Sequence, residues 1–298
     1  MDMPLLTPAR KGELSIFLSA VLWSLFPVVT ILTFTRITPL FSAAIGTLLA
    51  AVFFASILSA RKRWHELALR DAWWDMVCTS FFIGVLFYGL MFTGLRFTTA
   101  GNGAILGQME VFFSFLILGL FLKHEPISLR HALGGALMVL GAMIILLPKA
   151  SGFHGGDFFV MGATVFSPIG NTYAQKARRR VSTETIMFFR SVFSGLFLLL
   201  LAAILEPFPS RAALTVSLGF LLLNGIVLMG LCKILWIEGI HRIPITKAIS
   251  LESIMPFFTL IVAYAVLGER VTPFQISGLL PIIAGIFLLT KKQYQGAP

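Results

Sequence analysis

Two glutamates, Glu110 and Glu252, lie inside long apolar stretches of the chain. At a rise of about 1.5 Å per residue, helices over these stretches would carry both carboxyl groups roughly 12 to 17 Å into a bilayer, close to its middle. An ionised acid at that depth costs about 2.5–3.5 kcal/mol, so it needs a cavity or a partner. The two positions indicate a site for a proton or for a cationic group of a ligand. A structural hydrogen bond to a neighbouring helix is the alternative.

Three basic residues also fall inside apolar stretches. Lys233 could pair with Glu252 or hold a ligand carboxylate, and Tyr88 stands 145 residues before it, at the equivalent point of an internal repeat. Lys247 lies in the first turn of its predicted helix, and Arg190 lies near the end of another. Snorkelling of the long side chains to the membrane surface explains the two lysines equally well, and it is the expected role of Arg190.

Polar and aromatic side chains could complete the same cavity. Ser167 and Asn171 share one predicted helix, and Asn102 and Gln108 share another. Hydrogen bonds between helices would explain these residues as well as a ligand would. The aromatic residues could form a wall for an apolar ligand group, or could simply pack among the many phenylalanines. The predicted substrate- or proton-binding residues are Trp23, Tyr88, Asn102, Gln108, Glu110, Ser167, Asn171, Lys233 and Glu252.

Three prolines mark candidate hinges. Pro27 and Pro168 align at an offset of 141 residues, so the first and sixth predicted helices are expected to share a break, and Pro256 lies in the ninth. A proline frees a backbone carbonyl, which a membrane helix tolerates only where protein or cavity water can satisfy it. A static kink is the alternative to a hinge at each position.

The elements that must carry these residues are membrane-spanning helices. Hydrophobic residues make up 57% of the 298 residues and charged residues 12%, about half the charged fraction of a soluble domain. Apolar runs of about 20 residues, the length that crosses a bilayer, recur along the chain. We predict an all-α integral membrane protein with ten transmembrane helices near residues 14–35, 38–59, 74–95, 99–121, 128–147, 156–176, 184–204, 213–237, 244–267 and 272–290.

The sequence argues against a nucleic-acid surface, a disulfide, a metal site and a catalytic site. The net charge of +10 is spread between the apolar runs, which is typical of topology signals and not of a nucleic-acid surface. Cys78 and Cys232 both lie within apolar runs and predict neither a disulfide nor a metal pair. The five histidines lack metal-ligand spacing, and no phosphate-binding Gly-Lys-Ser/Thr loop or nucleophile with a His/Asp companion occurs. We therefore predict no catalytic residue, metal or cofactor.

The second half of the chain repeats the first. Gly94-Leu95-Arg96-Phe97 introduces one apolar run, and Gly239-Ile240-His241-Arg242 introduces another 145 residues later. Within these runs, Phe112-Phe113 matches Phe257-Phe258. Five helices per half would make the second half enter the membrane upside down, as in secondary transporters, whose substrate site lies near mid-bilayer. We predict a first repeat over residues 1–150 and a second, inverted repeat over residues 151–298.

The distribution of Lys and Arg predicts the orientation. With a cytoplasmic N-terminus, the inner segments would hold fifteen of these residues and the outer segments five. Since cytoplasmic loops are rich in Lys and Arg, both termini are expected in the cytoplasm.

Small residues also recur in the repeat. Gly134 and Gly141 align with Gly278 and Gly285, which predicts close packing of the fifth and tenth helices. Gly46 aligns with Arg190, so only the second half carries an arginine at this point.

Short motifs occur in a characteristic order and are doubled between the two halves. They are Leu22-Trp23-Ser24 with Pro27, the run 88–102, Gln108-Met109-Glu110, Glu252, Pro256 and Leu267-Gly268-Glu269-Arg270. In these motifs the chain resembles the drug/metabolite transporter superfamily, and within it the EamA-type transporters, which have ten helices and two EamA repeats. The resemblance implies a multi-pass protein of the bacterial inner membrane that exports small metabolites, such as amino acids, or amphiphilic toxic compounds.

The residues themselves predict a secondary transporter that works by alternating access, with a small-molecule substrate and the lipid bilayer as partners. Protonation of Glu110 or Glu252 could couple the cycle to protons, and facilitated diffusion is equally allowed. Uptake of a cationic nutrient or drug is the alternative function, and a passive channel is a further one. An enzyme and a nucleic-acid partner are not expected. Substrate identity and oligomeric state stay open.

Overall fold

A computed structural model describes residues 7–117, 129–146, 154–243 and 245–290, which form helical rods joined by short turns, with no β-strand among them. We number the rods in chain order. They are α1 (Pro8–Thr33), α2 (Pro39–Ala60), α3 (Arg70–Arg96), α4 (Ala100–Gly107 and Met109–Leu116), α5 (Leu129–Leu146), α6 (Gly156–Ala177), α7 (Thr183–Leu205), α8 (Arg211–Ile240), α9 (Ile245–Glu252 and Met255–Leu267) and α10 (Pro273–Thr290).

Six of the rods are long and apolar enough to cross a membrane: α1, α2, α3, α5, α7 and α8. The segments Met255–Leu267 of α9 and Pro273–Leu289 of α10 are shorter apolar helices. The predicted all-helical membrane protein is therefore confirmed, whereas ten membrane crossings stay a prediction.

The predicted helix bounds agree with the rods to within a few residues. The largest difference at a rod start lies at the N-terminus of α1, which begins at Pro8 and not near residue 14. The Thr7 hydroxyl accepts a hydrogen bond from the backbone N–H of Arg10, and proline fits the first helical position because its missing N–H needs no partner there. The extra turns carry charged residues, which an apolar-run criterion excludes by construction.

Several rods are interrupted. Rod α1 breaks at Leu25, just before Pro27, and α9 breaks before Pro256, which lies in the first turn of the next helical segment. In α4 the interruption is at Gln108, whose N–H bonds to the carbonyl of Ile105 in a tightened turn. The proline at the start of the new segment in α1 and α9 lacks the N–H that would continue the preceding helix.

The predicted break shared by the first and sixth helices is wrong for the sixth. Rod α6 runs without interruption from Gly156 to Ala177, with Pro168 inside it. A single proline removes one backbone hydrogen bond, and a helix continues where the flanking turns remain bonded. The two halves therefore differ at this point.

Wide π-helical turns occur at equivalent places in α3 and α8. They span Ser80–Phe87 and Leu223–Leu231. Tyr88 begins the helical turn after the first, and Lys233 lies in the turn after the second. Such turns are frequent at functional sites, and here they precede two residues that the repeat alignment makes equivalent.

The rods pack with a symmetry between the two halves. Rod α1 packs along α8 as α6 packs along α3, and α2 contacts α8 as α7 contacts α3. Rods α2 and α7 pack against each other, as do α5 and α10, and α4 and α9. Each of these contacts has its counterpart five rods further on, which agrees with the two-repeat architecture that the sequence predicts.

The close approach of α5 and α10 is confirmed. A Cβ added to Gly134 would lie 3.0 Å from the carbonyl oxygen of Gly285, and one added to Gly278 would lie 2.7 Å from that of Gly141. Only glycine permits this backbone contact, because any side chain would collide with the opposite helix.

Carboxylates close helix N-termini across the two halves. Glu206, at the end of α7, accepts hydrogen bonds from the N–H groups of Leu40 and Phe41 in α2, at 3.0 and 3.1 Å. Reciprocally, Glu66, after α2, accepts one from the N–H of Ser182 at the start of α7, at 2.6 Å. A negative charge at a helix N-terminus satisfies free N–H groups and the helix dipole. These caps fix α2 and α7 against each other.

Candidate functional site

Glu110 of α4 lies in the interior and is bound by α6. The hydroxyl of Ser167 donates a hydrogen bond to Oε1 of Glu110 at 2.6 Å. The side-chain amide of Asn171, one turn further along α6, lies 3.4 Å from the Ser167 hydroxyl. Ser167 is buried, Glu110 is partly buried and Asn171 is exposed. Three of the predicted site residues thus form one chain of contacts that leads from a carboxyl group to an exposed amide.

Glu252 and Lys233 belong to the same electrostatic cluster. Glu252 ends the first segment of α9, at the interruption of that rod. The positive charge of Lys233 interacts electrostatically with the carboxyl groups of Glu110 and Glu252, and these two carboxyl groups also interact with each other. No ion pair within 4.0 Å joins them among the described residues. We call these three residues the charged cluster.

The ammonium of Lys233 rests on an aromatic ring. Its Nζ lies 3.9 Å from the ring centroid of Trp23 in α1. Trp23 in turn stacks on Phe26, with ring centroids 4.5 Å apart and an angle of 9° between the planes. A cation over the face of an indole is attracted by the negative face of the ring system. Trp23 therefore fixes the position of the Lys233 ammonium.

The aromatic contacts continue from Trp23 into α3. Phe26 meets Phe92 edge to face at 5.6 Å, and Phe92 meets Tyr88 at 6.3 Å. Tyr88 is only 1% exposed. These four rings, Trp23, Phe26, Phe92 and Tyr88, form what we call the aromatic wall.

The snorkelling expected of Arg190 is wrong. Arg190 is 5% exposed, and its guanidinium carbon lies 5.9 Å from the ring centroid of Tyr88. Gly84 of α3 packs against the Arg190 stem and Ser194, where an added Cβ would be 3.5 Å from Cγ of Arg190. The absent side chain of Gly84 makes room for Ser194, since an added Cβ would lie 2.3 Å from Cβ of Ser194, whereas 3.5 Å from the arginine stem is an ordinary contact.

Asn102 lies in a different network. Its side-chain amide donates to Oδ2 of Asp157 at 3.0 Å, and its oxygen accepts from Gln275 at 2.9 Å. The Thr98 hydroxyl also donates to Asp157. Asn102, Asp157 and Gln275 are all buried. This network, which we call the end network, joins α4, α6 and α10 and does not include Glu110.

The end network was not foreseen. The pattern of apolar runs places Asp157 and Gln275 at helix ends, and it therefore does not predict a role for either residue in the interior. The internal repeat could have indicated Asp157. This residue lies in the first turn of α6, and another acid, Glu13, lies 144 residues before it, in the first turns of α1. Glu269 adds to the same end by accepting hydrogen bonds from the N–H groups of Ala100 and Gly101, at 2.9 and 3.3 Å.

Two residues that the sequence singles out, Gln108 and Lys247, remain to be placed. Gln108 lies at the α4 interruption, partly buried and two residues before Glu110. The side chain of Lys247 lies outside the described residues. Within the described part of the chain, no group of three or more His, Cys, Asp and Glu could hold a metal ion.

A two-repeat helical membrane fold with ionisable groups in an apolar interior is typical of membrane transporters. The EamA-like transporter family matches residues 10–147 and again 154–291. The chain belongs to this family.

Curated relatives carry transporter names. An uncharacterized transporter of Haemophilus influenzae is 26% identical over 71% of this chain and 70% of its own length. The uncharacterized transporter YvbV of Bacillus subtilis is 24% identical over 85% and 83%. A protein of Salmonella typhimurium named a probable amino-acid metabolite efflux pump is 23% identical over 63% and 67%.

The fold also occurs among solved structures. One crystal structure matches with a TM-score of 0.66 over 93% of this chain and 95% of its own, at 17% sequence identity. At that identity the likeness shows the fold alone.

Proposed function

We propose that the protein is a secondary transporter of the bacterial inner membrane that exports small metabolites such as amino acids, or amphiphilic toxic compounds. The observation that carries the proposal is the charged cluster. Two carboxyl groups and one ammonium come from three different rods and are all partly accessible, within a chain that is 57% hydrophobic. Ionisable groups at membrane depth normally mark a substrate or ion pathway. The name of the Salmonella relative supports amino acids as the substrate class.

The proposed architecture is ten crossings, in two inverted repeats over residues 1–150 and 151–298. The paired contacts between rods five apart support it. The excess of Lys and Arg supports cytoplasmic N- and C-termini. In that orientation the end network and the Glu269 cap lie at the outer end of the rods, and the Glu66 cap lies at the cytoplasmic end.

Alternating access would move the rods around the charged cluster. The interruptions at Leu25, at Gln108 and before Pro256 are the proposed flexible points, with Pro27 and Pro256 as hinges. Pro168 lies in an unbroken rod, and it would act as a hinge only if α6 bends in another state. Asn102 would act in closing the outer end and not in holding the substrate.

Protonation of Glu110 or Glu252 would couple the cycle to protons. In the outward-facing state a proton would replace the substrate cation at a carboxyl group. Facilitated diffusion would need no such exchange.

The charged cluster has two acids for one ammonium, and this excess of negative charge favours uptake of a cationic molecule as the second candidate function.

Counterflow in proteoliposomes tests the proposal. Wild-type protein is expected to exchange labelled leucine faster when unlabelled leucine is present on the opposite side, which a passive channel would not do. Glu110→Gln and Glu252→Gln are expected to lower exchange and its dependence on pH. Glu238→Gln is the matched control, because the Glu238 side chain is 46% exposed and its ion pair among the described residues is with Arg242, just after the end of α8. Normal transport by both cluster variants across the pH range would refute proton coupling.

A further inference from the structure

A basic and aromatic segment connects α2 to α3 and includes the first turns of α3. Its residues 61–74 carry four cations and three tryptophans, namely Arg61, Lys62, Arg63, Arg70, Trp64, Trp73 and Trp74. All three tryptophans are exposed. Tryptophan is enriched where a membrane meets water, and Lys and Arg at this depth attract anionic lipid headgroups. The segment is therefore expected at the level of the headgroups, on the cytoplasmic side in the proposed orientation.

Polar contacts hold this segment on the start of α7. Glu66 accepts a hydrogen bond from the hydroxyl of Thr185 at 2.7 Å. Arg61 and Arg63 both form ion pairs with Glu184. The segment is therefore fixed against the second half of the chain, and these two arginines already have an anion of the protein.

The other two cations of the segment, Lys62 and Arg70, have no such anion. Both are exposed, and no ion pair within 4.0 Å joins either of them to a carboxylate of the described residues. The anion that a membrane supplies at this depth is the phosphate of a lipid headgroup. Two positive charges are thus available to such a headgroup.

An apolar groove of about 290 Å³ lies between the segment and α7. Leu67 and Trp73 line one side of it, and the residues from α7 include Phe188, Val192 and Leu196. These three positions follow each other at intervals of four and share one face of the helix. From Phe188 to Leu196 the groove extends about 12 Å along α7, close to half of the ~30 Å thickness of a bilayer core. A groove of this length and direction fits a hydrocarbon chain of one leaflet.

Arg70 lies next to this groove. The backbone N–H of Trp73 donates to the carbonyl oxygen of Arg70 in a tight turn, which brings the two Cα atoms to within about 7 Å. The indole N–H of Trp73 donates to the carbonyl oxygen of Leu67 at 2.9 Å. Residues 67–73 thus form a closed loop with Arg70 at its middle, and both ends of the loop line the groove.

Charge favours a lipid over a second copy of this chain as the occupant. A two-fold contact places the same surface of both copies face to face. Lys62 and Arg70 would then meet their own equivalents, and like charges repel. An anionic phospholipid brings the opposite charge together with a chain that matches the groove.

We propose that the groove and Arg70 form a binding site for one anionic phospholipid. An acyl chain lies along Val192 and Leu196, Arg70 holds the phosphate, and Lys62 adds a second positive charge. A guanidinium suits a phosphate because it donates two parallel hydrogen bonds to two of its oxygens. None of these residues belongs to the charged cluster, so the lipid site goes beyond the proposed function and does not depend on it.

Lipid binding to the purified protein in detergent, followed by native mass spectrometry, tests the phosphate contact. The probes are dioleoylphosphatidylglycerol and dioleoylglycerol, which has the same acyl chains and no phosphate. Arg70→Gln is expected to weaken phosphatidylglycerol binding about fivefold, because one cation near an anionic headgroup contributes about 1 kcal/mol. Dioleoylglycerol binding should change less than about twofold. Lys11→Gln is the matched control, since it removes an exposed cation near the start of α1, a rod that packs along α8.

A variant that fills the groove tests the position of the acyl chain. Val192→Phe is expected to weaken both probes at least about fourfold, the loss for one displaced CH₂ group at about 0.8 kcal/mol. Val216→Phe is the control, because Val216 is 64% exposed on α8 and does not line the groove. The two substitutions should therefore differ: Arg70→Gln affects the probe with a phosphate, and Val192→Phe affects both.

Four results would overturn the proposal. They are wild-type protein that binds phosphatidylcholine as tightly as phosphatidylglycerol, equal weakening of both probes by Arg70→Gln, unchanged binding in Val192→Phe, and a dimer that Val192→Phe dissociates without loss of lipid. The last result would assign the groove to a second copy. If Arg70→Gln lowers the melting temperature without lipid, Arg70→Lys repeats the comparison and should keep most of the preference for phosphatidylglycerol. Transport is not measured, so failure of the proposed function would leave these outcomes unchanged.

Discussion

Ser167 of α6 donates a 2.6 Å hydrogen bond to Glu110 of α4. Because α4 belongs to the first repeat and α6 to the second, this bond joins the two halves of the molecule at the charged cluster. Binding of a ligand or a proton to Glu110, next to this bond, would alter a contact between the halves.

Replacing Ser167 with alanine is expected to weaken substrate binding by about tenfold. The change leaves the Glu110 carboxyl without its donor, and a hydrogen bond to a charged group contributes about 1.5–3 kcal/mol. Leucine affinity of the purified protein and exchange in proteoliposomes measure the effect. Ser277→Ala is the control, because Ser277 is exposed and bonds only to its own helix. Equal affinities for all three proteins would show that the Ser167 bond is only structural.

Replacing Trp23 with leucine is expected to lower transport several-fold, whereas Trp23→Phe should retain most of it. The cation–π contact with Lys233 contributes about 0.5–2 kcal/mol, and phenylalanine keeps a ring face at this position. Initial exchange rates at a fixed substrate concentration provide the measurement. Trp74→Leu is the control because Trp74 is 71% exposed. Equal loss in the Phe and Leu variants would contradict a role for the ring face.

Replacing Gly278 with alanine is expected to destabilise the protein by about 1–3 kcal/mol, as overpacked cores usually are. The added Cβ would lie 2.6 Å from Cγ1 of Ile145 and 2.7 Å from the carbonyl oxygen of Gly141, so α5 and α10 would have to separate. Thermal unfolding in detergent measures this loss of stability. Gly162→Ala in α6 is the matched control, since nothing lies within 4 Å of its added Cβ. A melting temperature unchanged in both variants would mean that the two rods are not held at this contact.

Glu66 gives a pH dependence of stability outside the membrane-spanning rods. Burial raises the pKa of Glu66, but hydrogen bonds from Ser182 and Thr185 and the charge of Arg63 outweigh it and hold the pKa below its ordinary value. Ionised Glu66 therefore stabilises the folded state above the pKa of the unfolded chain. This stabilisation is lost as pH falls through the lower folded value.

Wild-type protein is accordingly expected to melt at a higher temperature than Glu66→Gln at neutral pH. The difference should persist down to the ordinary pKa of a glutamate, about 4.3, and should shrink below it as pH falls through the lower folded value. Melting curves of both proteins over this range test the sign. A difference that grows on acidification would contradict the assigned direction, and Glu238→Gln, which removes an exposed acid, controls for general effects of charge.

The helices and the repeat were predictable because they depend on local properties. Runs of apolar residues with charged or proline-containing breaks marked the rods within a few residues, since a membrane helix must satisfy its own backbone. The doubled glycines predicted the α5–α10 contact, because a small side chain permits close approach whatever surrounds it. Glu110 and Glu252 stood out because an acid in an apolar run is unfavourable without a partner.

The partners of these residues were not predictable, since they depend on contacts between rods that are distant in the chain. Ser167 lies 57 residues from Glu110, and no local pattern joins them. The position of Arg190 along one helix predicts a side chain at the membrane surface, whereas in the structure Arg190 is buried and its guanidinium lies over the Tyr88 ring of another rod. The polarity of Asn102 predicts a place in the binding site, whereas in the structure its side chain forms hydrogen bonds with Asp157 and Gln275.

The amino-acid sequence by itself determined that this is a helical membrane protein built from two related halves with acids in its interior, because hydrophobicity, charge bias and repeat spacing act along the chain. The tertiary structure alone decided which side chain meets which: Lys233 on Trp23, Glu110 with Ser167, and Arg190 on Tyr88. The physical reason is that a buried charge takes the position where neighbouring rods leave both room and a partner.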